Sequence, residues 1–164
     1  MHSWLKSLLL LPLLALLLSA CGASAAQPDD GRLTIVSTTG HIGDAVSFIA
    51  GDLADHSALL GPGIDPHTYV ATEGDLRTFQ SADVIFYNGL HLEAQMERVL
   101  EQIGERGDTT VVAVGDTLDS ARLLSWEPEA GFPYDPHVWN DVQLWKGVVE
   151  TIRLSEEVLI DIAP

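Results

Sequence analysis

The sequence has a single cysteine, Cys21, so no disulfide can close within the chain and a disulfide framework is excluded. Basic residues are scarce, with 8 Lys and Arg against 24 Asp and Glu and a formal net charge of -16. With no Lys/Arg run, that balance argues against nucleic acid as a partner. Cys-x-x-Cys, His-Glu-x-x-His and Gly-x-Ser-x-Gly are all absent, so a zinc ribbon, a zincin helix and a nucleophile elbow are not on offer. Gly61-Pro62-Gly63 lacks the Lys-Ser/Thr pair of a phosphate loop. What remains is 46% hydrophobic and 20% charged over 164 residues, the composition of one folded domain and not of a disordered chain. The acidic excess by itself describes a solvated surface.

No apolar run is long enough to span a bilayer. Leu8 to Leu18 is unbroken but falls short of the roughly 20 residues a spanning helix needs. Lys6, this apolar core and the small residues after it form a secretory signal, expected over residues 1–20. Leu18-Ser19-Ala20-Cys21 resembles a bacterial lipobox, which implies that Cys21 carries lipid and anchors the chain to a membrane. The small, acidic stretch that follows reads as a flexible tether, giving residues 21–31 as lipidated Cys and linker.

Beyond the tether, strand and helix patterns alternate. Leu33 to Ser37, Ser57 to Leu60, Val84 to Tyr87 and Thr110 to Val114 read as strands. Between them, helical spacing is found in Ile42 to Ala50, after a Thr72–Asp75 capping box, and from Leu92 to Ile103. A further helix begins near Leu144. The order predicts an α/β fold: a four-stranded parallel sheet with helices on both faces. Ligands of such sheets bind outside the carboxyl ends of the strands.

That rule sorts the histidines. His41, His67, His91 and His137 each follow a strand, whereas His56 precedes the second and is expected at the opposite edge. Two of the four repeat a tripeptide, Asp65-Pro66-His67 and Asp135-Pro136-His137. Proline fixes its own φ and keeps the preceding Asp out of the helical region, so the loop is stiff and the imidazole loses little entropy on binding. The Asp can hold the loop or accept the imidazole's other N–H. The pair reads as a metal site, with His67 and His137 as ligands and Asp65 and Asp135 as their supports. Two imidazoles leave the shell of Zn²⁺ or Mn²⁺ unfilled. His41, His91, a carboxylate such as Glu93, or residues outside this sequence are candidates for the rest.

Four segments carry a family resemblance: Thr38-Thr39-Gly40-His41-Ile42-Gly43-Asp44, Gly61 to Tyr69, Ala82 to Glu93, and Asp135-Pro136-His137-Val138-Trp139. They resemble the cluster A-I solute-binding proteins, the metal-binding lipoproteins of manganese and zinc ABC importers. The resemblance runs from about Leu33 to Val149 and is weaker from Arg153 on. It implies two α/β lobes joined by a long helix with the metal between them. The first lobe would supply two His ligands, matching His67 and His137. The second would supply a His or Glu and an Asp. It further implies capture of Mn²⁺ or Zn²⁺ outside the membrane, handover to an ABC permease, and no enzyme activity. The motif wording is closer to the manganese branch. His41 departs from the family, which carries an apolar residue there.

On this reading residues 32–140 are the N-terminal metal-binding lobe, residues 141–164 begin the linking helix, and the second lobe is absent. A frameshift, a premature stop or a partial gene model would account for that. Two other readings stand beside it: a fragment without useful metal affinity, and a metal-dependent hydrolase with His41, His67, His91 and His137 around the ion.

Overall fold

The computed structural model describes residues 31–127, 129 and 131–162, with side chains to residue 155. The signal, Cys21 and the tether lie outside the described residues. Strand β1 (Leu33–Ser37) lies inside a sheet with β2 (Ala54–Ala58), β3 (Val84–Tyr87) and β4 (Thr110–Ala113), in the order β2-β1-β3-β4. All three pairings are parallel. Helices α1 (Gly40–Ala50), α2 (Glu73–Gln80) and α3 (Glu97–Arg106) make the crossovers, and α4 (Val142–Ile162) closes the described chain. None of the helices in the described residues is long and apolar enough to cross a membrane.

Every residue of β3 is buried, which is why Val84-Ile85-Phe86-Tyr87 is a continuous apolar run and not an alternating one. Its side chains divide by parity. Val84 and Phe86 join Ile35 against Ile42 and Val46 of α1 and Leu144, Val148 and Ile152 of α4. Ile85 and Tyr87 join Val36 on the other face, against Phe79 of α2 and Leu100 and Ile103 of α3. The expected parallel sheet, covered on both faces, is the fold observed. The capping box at α2 is also present: Thr72 and Asp75 exchange side-chain and backbone hydrogen bonds.

Three elements differ from the sequence reading. The second strand starts three residues earlier, because pairing with β1 sets its register from Leu33–Ala54 to Ser37–Ala58. His56 is therefore within β2 opposite Ile35, and not ahead of the strand at the far edge. The third helix starts at Glu97 and not at Leu92, since Gly89, Leu90 and His91 all have positive φ, a run no right-handed helix contains. Leu92 and Met96 are still fully buried, so the apolar spacing was real and only the helix was not. Finally, β5 (Ser125–Glu127) and β6 (Phe132–Tyr134) pair as an antiparallel hairpin that the pattern did not announce.

The imidazole of His56 is sandwiched between sheet and helix. Its Nε2 lies 2.9 Å from Ser37 Oγ and its Nδ1 3.0 Å from Ser47 Oγ of α1. Gly43 makes the room, since a Cβ there would come within 3.3 Å of the His56 ring. Burial holds the His56 pKa below the ordinary imidazole value, because it penalises the charged form. The fold thus binds this proton less readily than the unfolded chain does. The stability this confers is complete above about pH 6.5 and is lost as the pH falls through the folded value. Thermal melting between about pH 7.5 and about pH 5 should show a falling midpoint, and His56→Gln should flatten that slope.

Candidate metal centre

The loop after β2 carries His67. Gly61 to Ile64 closes a turn, with Ile64 N donating to Gly61 O at 3.2 Å. Asp65 then organises the next four residues: Oδ1 accepts from His67 N at 3.0 Å and Oδ2 from the Thr68 hydroxyl at 3.2 Å. Tyr69 fastens the far end by donating to Asp75 Oδ2, 2.7 Å away in the α2 cap. A connection without regular structure is in this way tied to a rigid helix end.

The second Asp-Pro-His sits where β6 returns to the sheet. Asp135 N donates to Leu124 O at 2.9 Å, which ties it to the start of the hairpin. Asp135 Oδ1 accepts from His137 N at 2.9 Å and from the imidazole Nδ1 at 2.6 Å. That bond selects the tautomer with hydrogen on Nδ1 and leaves Nε2 as an acceptor facing His67 Nε2. Burial pushes the Asp135 pKa up, but the His137 N–H, its imidazole and its charge outweigh it and hold the carboxyl below the usual range. Asp65 makes no such recorded bond to the His67 ring. The same tripeptide thus fixes a backbone in one loop and both a backbone and an imidazole in the other.

The two loops converge. His67 Nε2 and His137 Nε2 are 3.3 Å apart, with ring centroids separated by 5.3 Å. Both rings line a cavity of about 380 Å³, together with His91, Leu90, Trp126 and Phe132. A tetrahedral ion with metal–nitrogen bonds of about 2.0–2.1 Å separates its ligands by about 3.3–3.4 Å. The pair is therefore spaced as two ligands of one such ion.

Of the other two histidines, His41 falls elsewhere and His91 does not. His41 stacks on Trp139 at 4.6 Å and 15° and lines a separate cavity of about 460 Å³ with Gly61 and Ile64. Trp139 also meets the His137 ring edge-on at 5.2 Å, so the indole stands between the two histidines. His91 shares the cavity, but its Nδ1 is 2.7 Å from Glu97 Oε2 and its ring meets Phe132 edge-on. Among the described residues no three His, Cys, Asp or Glu side chains gather around one point.

Glu93 is corrected outright as a ligand candidate. It is fully buried, and its carboxylate is spent on the scaffold. Oε1 accepts from the Thr38 hydroxyl at 2.6 Å and from Asn88 N at 2.9 Å, and Oε2 accepts from Gly89 N at 3.2 Å. Burial pushes its pKa up, and these hydrogen bonds oppose the shift. Asn88 extends the network, its Nδ2 donating to Pro136 O at 3.0 Å, one residue from His137. Gly115 N donates to Asn88 O at 2.7 Å, an approach only glycine allows, since a Cβ there would meet that oxygen at 2.6 Å. Sequence reasoning missed Asn88 and Gly115. Asn88 lay within the Ala82 to Glu93 segment that carries the family resemblance, without a role assigned to it, and nothing local marked Gly115.

The geometry is that of an α/β lobe with two imidazoles brought together at the carboxyl edge of a parallel sheet. Comparison with known proteins agrees. Residues 35–164 match the family model described as ZnuA, zinc-uptake complex component A, periplasmic. The chain belongs to this family. The match takes in residues 153–164, where the likeness had looked weaker. The manganese-binding lipoprotein MntA of Bacillus subtilis (strain 168) is 40% identical over 137 residues, covering 83% of this chain and 44% of that protein. The zinc-binding protein TroA of Treponema pallidum (strain Nichols) is 47% identical over 126 residues, covering 77% and 39%. The solved structure of that periplasmic zinc-binding TroA superposes with a TM-score of 0.72 at 43% identity, over 78% of this chain and 44% of the other. The chain thus spans less than half the length of these relatives.

Replacing Glu93 with Ala leaves the Thr38 hydroxyl and two backbone N–H groups buried without an acceptor. Urea unfolding should show a loss of about 3 kcal/mol or more.

Proposed function

We propose that this chain is the metal-binding lobe of an extracytoplasmic solute-binding protein that captures Zn²⁺ or Mn²⁺ for an ABC importer. The single observation that carries the reading is the 3.3 Å convergence of two imidazole nitrogens from loops 70 residues apart. His67 and His137 are direct ligands on this reading. Asp135 orients the His137 ring, and Asp65 shapes the loop that presents His67. Residues 32–140 form the lobe, and residues 141–164 begin the helix that leads away from it. Residues 1–20 are a signal and Cys21 bears the lipid that holds the protein to the membrane. Support for the anchor comes from the relatives named lipoproteins, MntA among them. The ion is cargo and the partner is the importer's permease, so the protein is a carrier and not an enzyme.

Relatives named for manganese and for zinc both match, so the family leaves the cargo open. The spacing favours Zn²⁺, whose tetrahedral shell it fits, and zinc also outranks manganese at nitrogen sites in general. The hydrolase reading loses its basis. It required His41 beside the other three, and His41 stacks on Trp139 at a separate cavity.

Calorimetric titration with Zn²⁺ and Mn²⁺ tests the assignment. His67→Ala and His137→Ala should each abolish the tight phase, and an unchanged isotherm in both would sink the reading. The two carboxylates should then separate. Asp135→Asn should weaken zinc binding about 10- to 100-fold, because it frees the ring it now orients. Asp65→Asn, acting only through the backbone and Thr68, should cost less.

A further inference from the structure

We infer that His41 is a positioning residue: its imidazole stacks on Trp139 and holds the indole against the His137 ring, so that this ring meets an incoming ion in one orientation. The inference rests on the reading of His137 as a ligand. It assigns a part to the one strand-end histidine that lies outside the cavity shared by His67, His91 and His137.

The need for such a residue follows from what surrounds the His137 ring. The side chain is 33% exposed, and Asp135 holds the ring at a single atom, Nδ1. One hydrogen bond fixes where that atom sits and leaves the tilt of the ring to its neighbours. Two other rings touch it. His67 is inclined at 55° with centroids 5.3 Å apart, and Trp139 stands edge-on at 77° and 5.2 Å. His67 belongs to the other loop and is itself read as a ligand. Trp139 is therefore the neighbour that can hold the tilt both before and after an ion arrives.

Trp139 is in turn placed by His41. It is half-buried in the turn Val138–Asn140, between the His137 loop and α4. The two ring planes lie 15° from parallel with centroids 4.6 Å apart. His41 stands in the first turn of α1 and meets a second indole, Trp145 of α4, edge-on at 6.5 Å and 78°. Trp145 packs against the core that α1 and α4 share. The line of contact thus runs from that core through Trp145, His41 and Trp139 to the His137 ring. Its chemistry asks for a planar side chain at position 41. An aliphatic one fills similar space, but only a flat ring offers the indole a face to lie on. An ion then meets a ring already oriented, and less of its binding free energy goes to ordering it.

Two variants read the inference. His41→Leu keeps apolar volume and removes the plane, and His41→Phe keeps the plane without the ring nitrogens. His41 is exposed, so both should fold, which circular dichroism checks. Calorimetric zinc titration of the purified protein should show affinity about 2- to 10-fold weaker in His41→Leu, the range of one aromatic pair, and recovery in His41→Phe. NMR of labelled histidine ring nitrogens without metal, with the His137 signals assigned by His137→Ala, gives a second readout. The native protein and His41→Phe should show the Nδ1-protonated pattern, and His41→Leu a pattern averaged between the two tautomers. Native affinity or a native tautomer pattern in His41→Leu would overturn the inference and leave the ligand assignment standing. A loss that persists in His41→Phe would overturn it too, since the nitrogens and not the stack would then matter. Zinc binding indifferent to both His67→Ala and His137→Ala would overturn the reading on which it rests.

Discussion

The orientation of the candidate site depends on a carboxylate that never touches it. Glu93 is fully buried at the carboxyl edge of the sheet, between the ends of β1 and β3, where the strand order winds away in both directions. It accepts from Thr38 on one side and from Asn88 and Gly89 on the other. Leaving such buried donors without an acceptor costs about 1–3 kcal/mol each. Two non-glycine residues at positive φ, Leu90 and His91, cost about 1–3 kcal/mol each. These bonds oppose that strain, two of them falling on the backbone N–H groups of Asn88 and Gly89 that open the left-handed run at 89–91. With the turn fixed, the Asn88 carboxamide is placed to grip Pro136, and the His137 loop is set against the sheet.

The two imidazoles reach their meeting point by different physics. His137 is held from below by Asn88, from the side by the hairpin through Asp135, and at its ring by the same carboxylate. Trp139 meets the ring edge-on and is itself stacked on His41. His67 has its backbone fixed by Asp65 and its loop tied to the α2 cap through Tyr69, with no comparable hold on the ring. One imidazole is thus fixed at backbone and ring by its carboxylate, and the other at its backbone and by contact with the first ring.

How much of this the residues disclose depends on what each one's environment repeats. The sheet was legible because strands buried on both faces must be continuous apolar runs, and Val84-Ile85-Phe86-Tyr87 has no other reading of comparable weight. The Asp-Pro-His pair was legible because proline and a flanking carboxylate constrain a loop wherever they occur. Other features depend on long-range partners that no local pattern encodes. The β2 register follows from pairing with β1, which moved His56 from the edge into the strand. Glu93 and His91 look like ligands in the sequence because both are metal-capable and near a strand end. Glu93 is turned inward by three donors, whereas His91 lines the cavity with its Nδ1 bonded to Glu97. The hairpin of three-residue strands was too short for a periodic signal, and its turn falls at Gly131, where φ is +91°.

A carrier differs from a storage site in that it must let go, and a half-filled shell is a physical means to that end. Two imidazoles spaced for a tetrahedral ion hold it weakly by themselves, because the remaining positions stay with water. Tight binding arises only when further donors arrive, so the ion's affinity is coupled to the approach of whatever carries them. A ligand can shift such an equilibrium only by the difference in its affinity for the open and assembled states. Here that difference is the contribution of the added donors. Removing them returns the ion to a weak site and frees it. On the proposed reading this lobe contributes one edge of the shell, and Asp135 and Asn88 set its His137 side through the ring and the Pro136 carbonyl.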